Sequence, residues 1–320
     1  MEITHDGFFK ALMEEPGTAG ALLRERLPEE VVRHLAPGEP ELVDGSFIDE
    51  ELRESRSDRL YRMALLSGGE FFVYCLVEHK SAPDPRVGLQ LLRYLARIWE
   101  RLDREAHGRG RLPPIVPLVV YHGAGRWNAP ARFVETLEAA EALRPHLLDF
   151  PIRVMDVGKI EDDHLSRDRR LRVGLLLLKY ATRTDAGKVV EILTGLLVEM
   201  RGLPPELFER SWRYIVGAYG PLDVEMLSEA LRRAMPEKEE QMLSIAARQW
   251  LAEGRAEGRA QGQAEGQAKA LERVLLKRFG KIPSVFREAM ASADIAQLDA
   301  WIERAIDADS IEAVFAVEAH

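Results

Sequence analysis

Two acidic residues and a lysine flank a predicted β-hairpin in the first third of the chain. Residues 58–66 and 70–78 are apolar runs that together contain four aromatic and two β-branched side chains, and a Ser-Gly-Gly turn separates them, which is typical of a hairpin. A three-residue loop would place Asp58 directly opposite Glu78, with Cβ atoms about 5 Å apart on one face of the sheet. Lys80 follows Glu78 by two residues and would point to that same face.

These residue types suit metal-dependent hydrolysis of a phosphodiester. Opposed carboxylates repel each other unless a cation or protons lie between them. Asp58 and Glu78 would supply hard oxygen ligands, which Mg²⁺ prefers and Mn²⁺ also accepts. Such an ion lowers the pKa of bound water and offsets charge that develops on a phosphoryl group. Lys80 would orient or deprotonate the attacking water, or neutralise the phosphate.

The prediction depends on the loop, and a plainer interpretation exists. A two-residue Gly68-Gly69 loop would shift the register by one and place Asp58 and Glu78 on opposite faces. In the plainer interpretation Asp58 caps a strand, while Glu78 and Lys80 are solvated charges at a strand end. Spacing alone does not decide between these alternatives.

Four further residues are candidates for accessory roles. Gln90 and Tyr94 lie one turn apart on a predicted helix, where they would contact substrate or form part of the edge of the core. His122 follows a buried strand, where active sites of α/β sheets gather; it would act as a general base or simply form a turn. Asp6 could add a metal ligand, although Thr4 or Asp6 as a helix N-cap also explains that stretch.

The charge of the chain restricts how it could bind nucleic acid. With 44 basic and 53 acidic residues its net charge is −9, which argues against indiscriminate binding over the whole surface. A local basic groove remains compatible with this balance, because the field depends on nearby charges. Four arginines recur at helical spacing and form a stripe that could follow phosphates: Arg93, Arg97, Arg101 and Arg104. Three acidic residues are interleaved with them, which is also compatible with an ordinary solvated face: Glu100, Asp103 and Glu105.

Periodicity predicts an α/β core with a mixed sheet and flanking helices. The order is α-β-β-α-β, although Pro117 weakens one central strand position. The predicted helices of this core are 8–13, 18–26 and 88–105, and the predicted strands are 58–66, 70–78, 115–121 and 152–157. Beyond residue 165 only helices are predicted, over 168–181, 186–201, 206–218 and 223–234. These patterns divide the chain into four segments: an α/β core (1–165), a helical extension (166–236), a segment with a Gly/Ala repeat (237–270) and a small helical module (271–320).

The last two segments form an all-α region that contains an internal repeat. Residues 253–268 read EGRA, EGRA, QGQA and EGQA, and each glycine costs a helix about 1 kcal/mol relative to alanine. The repeat is either a helix that packs closely against a partner or a flexible tether. Residues 269–279 and 284–317 predict a small helical module. We expect this region to form a homo-oligomer, since small side chains permit close helix contact.

Composition excludes several classes of protein. A hydrophobic content of 46% is that of a globular chain, and no uncharged apolar run reaches the length of a membrane span. The N-terminus lacks the layout of a secretory signal, and the single cysteine excludes an internal disulfide. We therefore expect a cytoplasmic protein without membrane contact.

An ordered set of motifs resembles a bacterial family of recombination-promoting nucleases, also labelled transposases, within the PD-(D/E)xK nuclease superfamily. The motifs are His5-Asp6, Phe9-Lys10, Leu27-Pro28, 46–53 (SFIDEELR), 57–61 (SDRLY), 77–81 (VEHKS), 91–94 (LLRY) and 117–123 (PLVVYHG). The likeness covers roughly residues 4–235, and residues 271–313 resemble a helical module that follows this nuclease in related chains.

The resemblance implies a function as well as a fold. It implies a restriction-endonuclease-like fold and a Mg²⁺-dependent DNA endonuclease linked to recombination or mobile elements. Asp58, Glu78 and Lys80 match the superfamily's catalytic positions, and Gln90 and Tyr94 resemble a Gln-x₃-Tyr motif in one of its branches. Family members often carry Gln where Lys80 stands. A catalytically weak or inactive module that binds nucleic acid and oligomerises is the alternative.

Overall fold

The computed structural model describes residues 4–43, 59–78, 84–183, 186–219 and 222–316. The chain divides into two compact units, residues 1–246 and 247–320. The finer division into four segments stays a prediction.

Helices and strands alternate in the first half of the chain, and helices alone follow. In chain order the elements are α1 (His5–Glu14), α2 (Thr18–Arg26), α3 (Glu29–Val32), β1 (Glu41–Val43), β2 (Arg59–Ala64), β3 (Glu70–Glu78), α4 (Val87–Glu105), β4 (Ile115–Tyr121), β5 (Arg153–Asp156), α5 (Arg169–Ala181), α6 (Val189–Met200), α7 (Pro205–Ala218), α8 (Val224–Ala234), α9 (Glu239–Phe279), α10 (Ser284–Ser292), α11 (Ile295–Asp307) and α12 (Ile311–Phe315). Short 3₁₀ helices lie between several of them. The predicted α/β class is confirmed.

The sheet is mixed and its strands lie in the order of the sequence, β1 to β5. β1, β2 and β3 pair antiparallel, whereas β3, β4 and β5 pair parallel. α4 forms the crossover between β3 and β4, as a parallel pair requires. Pro117 is tolerated in β4 because the ladder with β5 begins only at the next residue, Leu118.

The register of the β2–β3 hairpin differs from the predicted one by two residues. Ala64 pairs with Glu70 and Arg59 with Cys75, so the predicted pairing of Leu66 with Glu70 is wrong. The turn begins earlier, because the Leu65 carbonyl accepts a hydrogen bond of 3.0 Å from the Gly68 N–H. Gly68 and the residue after it have φ values of 85° and 90°, which suit glycine alone. The alternative two-residue loop is also wrong, because its register would have reversed the faces.

α4 covers one face of the sheet. The cluster beneath it contains apolar side chains of three strands and of the helix: Leu60, Phe72, Tyr74, Leu76, Val119, Val87, Leu91, Leu95 and Ile98. These positions alternate along β2 and β3, as a strand's period of two requires. The intervening side chains are also buried, among them Val73, Cys75 and Leu118. Cys75 is therefore a core residue.

α1 packs against α2, α5 and α7. It begins at Thr4, whose Oγ1 accepts a hydrogen bond of 3.1 Å from the Gly7 N–H. α1 and α5 approach closely at Gly174, where an added Cβ would lie 2.3 Å from the Leu12 Cδ2 atom. α5 begins at Asp168, whose carboxylate accepts a hydrogen bond from the Leu171 N–H. Both helices are thus fixed by a capped first turn and by packing.

The second unit contains its own apolar core. Its buried members come from the end of α9 and from the three helices after it: Leu271, Leu275, Ile282, Met290, Leu298, Ala305, Ile311 and Val314. Residues 284–317 were predicted to belong to a small helical module, and their described part forms three helices. The repeat 253–268 lies within α9. None of the helices in the described ranges has both the length and the apolar composition of a bilayer crossing.

Candidate functional site at the carboxyl edge of the sheet

Three parallel strands end side by side where the sequence predicts the site. Glu78 closes β3 and pairs with Tyr121, and Tyr121 pairs in turn with Asp156 of β5. We call this row of strand ends the carboxyl edge. Asp58 and Lys80 lie outside the described residues, so the convergence of Asp58, Glu78 and Lys80 stays a prediction.

The backbone register determines the face on which Glu78 belongs. In β2 and β3, even-numbered residues share one face, as the pairs Leu60–Tyr74 and Arg62–Phe72 show. Leu76 is buried in the cluster beneath α4. Because strand positions alternate, position 78 belongs to this same face.

α4 presents Gln90 and Tyr94 to that face of the sheet. Tyr94 is buried, and its ring centroid lies 5.0 Å from that of Tyr74 in β3. The Gln90 amide Nε2 lies 3.4 Å from the Tyr94 hydroxyl, a long hydrogen bond. Gln90 is only half-buried. The pair lies at the margin between core and surface, and its substrate role stays a prediction.

His122, directly after Tyr121, belongs to a buried group of rings. Its imidazole is fully buried, and its centroid lies 5.4 Å from that of His5. His5 Nδ1 in turn lies 2.6 Å from the Tyr214 hydroxyl, whose pKa is raised by burial. These contacts tie α1 and α7 to the end of β4. The role of His122 as a general base stays a prediction, since this burial equally suits a structural role.

Sequence reasoning missed the network that holds the carboxyl edge together. The Asp156 carboxylate accepts hydrogen bonds from the Trp127 N–H at 3.3 Å and the Gly158 N–H at 3.1 Å. Arg183 lies 3.8 Å from that carboxylate and donates to the backbone carbonyls of His122 and its neighbour Gly123. Burial lowers the pKa of Arg183, against the opposing effect of Asp156. The sequence offered one signal of this network, because Asp156 is an acidic residue near the end of the predicted strand 152–157.

Asp6 occupies the first turn of α1, where it is partly buried. Thr4, not Asp6, is the N-cap. A role for Asp6 as an additional metal ligand stays a prediction. Within the described ranges no group of three or more His, Cys, Asp or Glu side chains is arranged to hold a metal ion.

Comparison with known proteins identifies the family. The profile of the family described as "Putative transposase, YhgA-like" matches residues 3–206. The chain belongs to this family. The match includes the whole described sheet, so the carboxyl edge, α4 and the α1–α5 contact are all within the part that the YhgA-like family shares.

Relatives of the YhgA-like chain carry nuclease names. Recombination-promoting nuclease RpnA of Escherichia coli K12 is 27% identical over 252 residues, which cover 76% of this chain and 82% of the relative. Recombination-promoting nuclease RpnD of Escherichia coli O157:H7 is 26% identical over 247 residues, covering 76% and 93%. Inactive recombination-promoting nuclease-like protein RpnE of Escherichia coli K12 is 26% identical over 246 residues, covering 76% and 80%. No solved structure matches the chain.

Proposed function

We propose that this protein is a Mg²⁺-dependent DNA endonuclease of the PD-(D/E)xK type that hydrolyses phosphodiester bonds during recombination or the movement of mobile elements. Asp58 and Glu78 bind the metal, for which Mn²⁺ can substitute, and Lys80 acts on the attacking water. We also propose that the protein acts in the cytoplasm. Support comes from the nuclease names of its relatives RpnA and RpnD and from the geometry of the carboxyl edge.

The observation that carries the proposal is the β2–β3 register, which leaves the even-numbered residues of both strands on one face. Arg59, the first residue of β2, pairs with Cys75. Extending this ladder by one residue would bring Asp58 opposite Leu76, on the same face as Glu78. The carboxylates would then be diagonal neighbours, whose Cα atoms are about 7–8 Å apart in such ladders. One cation between two side chains can bridge that spacing.

Each residue has a distinct task in the proposed reaction. Asp58 and Glu78 supply carboxylate oxygens, the ligand type that Mg²⁺ prefers. The bound ion would lower the pKa of a water molecule and offset charge on the phosphoryl oxygens. Lys80 orients that water or takes its proton, and Gln90 at the margin of the same face contacts the substrate.

Plasmid cleavage tests the proposal directly. We expect the wild-type protein to nick or cut DNA with Mg²⁺ or Mn²⁺ and to be inert with EDTA. Asp58→Ala should abolish cleavage, and Lys80→Gln should leave partial activity. Glu70→Gln is the matched control, because Glu70 begins the same strand and pairs there with Arg62 at 3.0 Å, far from its carboxyl end. Undiminished cleavage by Asp58→Ala would show that the site is wrong.

A catalytically inactive module that binds nucleic acid is the second candidate. The relative RpnE, which is named inactive, favours it. In that case the wild-type protein would bind DNA but leave plasmid intact with either metal. Cleavage that requires both the metal and Asp58 decides for the endonuclease.

We further propose that the helical region after residue 237 joins copies of the chain. The glycines of the 253–268 repeat lie in α9, and among the described residues nothing lies within 4 Å of an added Cβ, so a second helix could approach them closely. Light scattering should show a smaller assembly after deletion of residues 247–320, a cut that retains the buried Met242 and Ala246. An unchanged subunit number would contradict this role.

A further inference from the structure

One side of α4 carries a line of arginines, which we call the arginine stripe. Its members are Arg86, the N-cap of the helix, and Arg93, Arg97, Arg101 and Arg104. With 3.6 residues per turn they fall within about 80° of the helix circumference. At 1.5 Å per residue the stripe is about 27 Å long.

The stripe is accessible from solvent. Arg86, Arg93 and Arg104 are exposed, and Arg86 and Arg93 form no ion pair with another residue in the described ranges. Arg101 pairs with Glu105 at 3.1 Å, where the two side chains keep 38% and 50% of their surface exposed. Exposed pairs of this kind are worth less than about 1 kcal/mol. A phosphate could therefore replace Glu105 at little cost.

Acidic residues flank the stripe rather than fill it. On opposite sides of the stripe, Asp103 lies about 120° and Glu105 about 80° from its centre, and Glu100 lies next to its edge. The surface that solvent meets along this line is therefore positive, although the whole chain carries a charge of −9. A local positive field of this kind attracts polyanions in spite of net charge.

The helix that carries the stripe is held rigidly. Its opposite side buries Leu91, Leu95 and Ile98 against the sheet. The arginine Cα atoms are therefore fixed before any ligand binds, which reduces the entropy lost on binding. A regular row of fixed cations suits a partner with regularly spaced negative charges.

The stripe begins near the carboxyl edge. Tyr94 contacts Tyr74, and a crossover helix runs back along the strand that it follows. The start of α4, with Arg86 and Gln90, therefore lies nearer to Glu78 than Tyr94 does. Since duplex DNA rises about 3.4 Å per base pair, the stripe matches the length of about eight base pairs.

We propose that the arginine stripe binds the phosphate backbone of duplex DNA and leads it to the carboxyl edge. The choice of DNA as the partner rests on the proposed endonuclease function. The test below measures binding and does not require catalysis. The stripe reads no sequence, because phosphate contacts position a duplex without distinguishing bases.

Salt-dependent binding tests the stripe separately from cleavage. Full-length Asp58→Ala protein in EDTA is titrated onto a labelled DNA duplex at several KCl concentrations. Adding Arg86→Gln and Arg93→Gln should reduce the slope of log K against log salt by about 2, and weaken binding at least about tenfold near physiological salt. Lys at both positions should restore most of the slope. Arg33→Gln with Arg233→Gln is the matched control, since both arginines are exposed and already paired with glutamates.

The outcomes separate the two proposals. A reduced slope with the Gln pair, and a normal one with the Lys pair and the control, supports the stripe. An unchanged slope with the Gln pair overturns it, whether or not the wild-type protein cuts plasmid. Tighter binding of duplex RNA than of DNA would overturn DNA as the occupant. If binding shows the expected slope but the wild-type protein leaves plasmid intact with either metal, only the endonuclease function is overturned.

Discussion

α5 and the middle of α9 use glycine in opposite ways. Gly174 lies in α5 against α1, and an added Cβ there would come within 2.3 Å of a Leu12 methyl carbon. In α9, four glycines lie within a helix, and an added Cβ would meet no atom of the described residues within 4 Å: Gly254, Gly258, Gly262 and Gly266.

The difference lies in what determines each helix. Glycine in a helix costs about 1 kcal/mol relative to alanine, whatever its surroundings. In α5 this cost is offset because the missing side chain allows Leu12 to be fully buried. At the four repeat glycines no described residue lies close enough to offset it. A second chain, as proposed above, would supply one.

The largest expected effect is at Leu12 itself. Leu12→Ala removes a fully buried side chain between α1 and α5 and should lower the free energy of unfolding by about 2–5 kcal/mol. Urea denaturation followed by circular dichroism measures this change. Val285→Ala in α10, which is 62% exposed, is the control and should change little.

Gly174→Ala should cause the next largest loss of stability. The added methyl overpacks the α1–α5 contact, and the expected cost is about 1–3 kcal/mol in the same assay. In the Leu12→Ala background the methyl enters the vacated space, so its cost should shrink or reverse. Additive losses in the double variant would mean that the two residues are not in contact.

The same substitution in the repeat should act with the opposite sign. In a single chain, Gly258→Ala combined with Gly262→Ala should stabilise α9 by up to about 2 kcal/mol, because helix propensity rises and no described residue lies within 4 Å of the added methyl groups. Helix content during thermal unfolding reports the change. If a second helix lies directly against these glycines, the double variant should instead dissociate the assembly in light scattering.

The smallest effect concerns the start of α5. Hydrogen bonds from Leu171 and Arg170, against the effect of burial, lower the pKa of Asp168 below its ordinary 3.8. A carboxylate with a lowered pKa stabilises the fold at pH values above its ordinary pKa. This stabilisation is lost as the pH falls through the lowered pKa. Asp168→Asn keeps an oxygen acceptor, so it should cost only about 0.5 kcal/mol at pH 7. Urea titrations from pH 7 to pH 3 should show the difference shrinking as the pH falls below about 4, because Asp168 is protonated first in the unfolded chain. A constant difference would contradict the cause.

Local patterns predicted most of the fold. The spacing of Leu91, Leu95 and Ile98 defines one face of α4, and this face is the one that packs on the sheet. Runs of apolar residues, with aromatic or β-branched side chains among them, located four strands, because such side chains pack well on a pleated surface. β1 was missed, since three residues, Glu41–Val43, are too few to show a period.

Tertiary contacts and turn geometry lay beyond sequence reasoning. The β2–β3 register differs from the predicted one by two residues because the turn closes with the hydrogen bond between Leu65 and Gly68. Sequence could not decide this, since Gly68 and Gly69 can adopt positive φ in more than one type of loop. His5 and Tyr214 are 209 residues apart, so no local signal joins them. The candidate site was located only to a strand end: Glu78 lies at the carboxyl edge, while Asp58 and Lys80 are outside the described residues.

Cys75 gives the molecule an internal reporter of opening. It is the single cysteine of the chain, is fully buried, and pairs with Arg59 on one side and Leu118 on the other. A thiol reagent can reach it only when the sheet separates from its covering helices. The rate of alkylation therefore measures how often the centre of the sheet is exposed, without any label or added mutation.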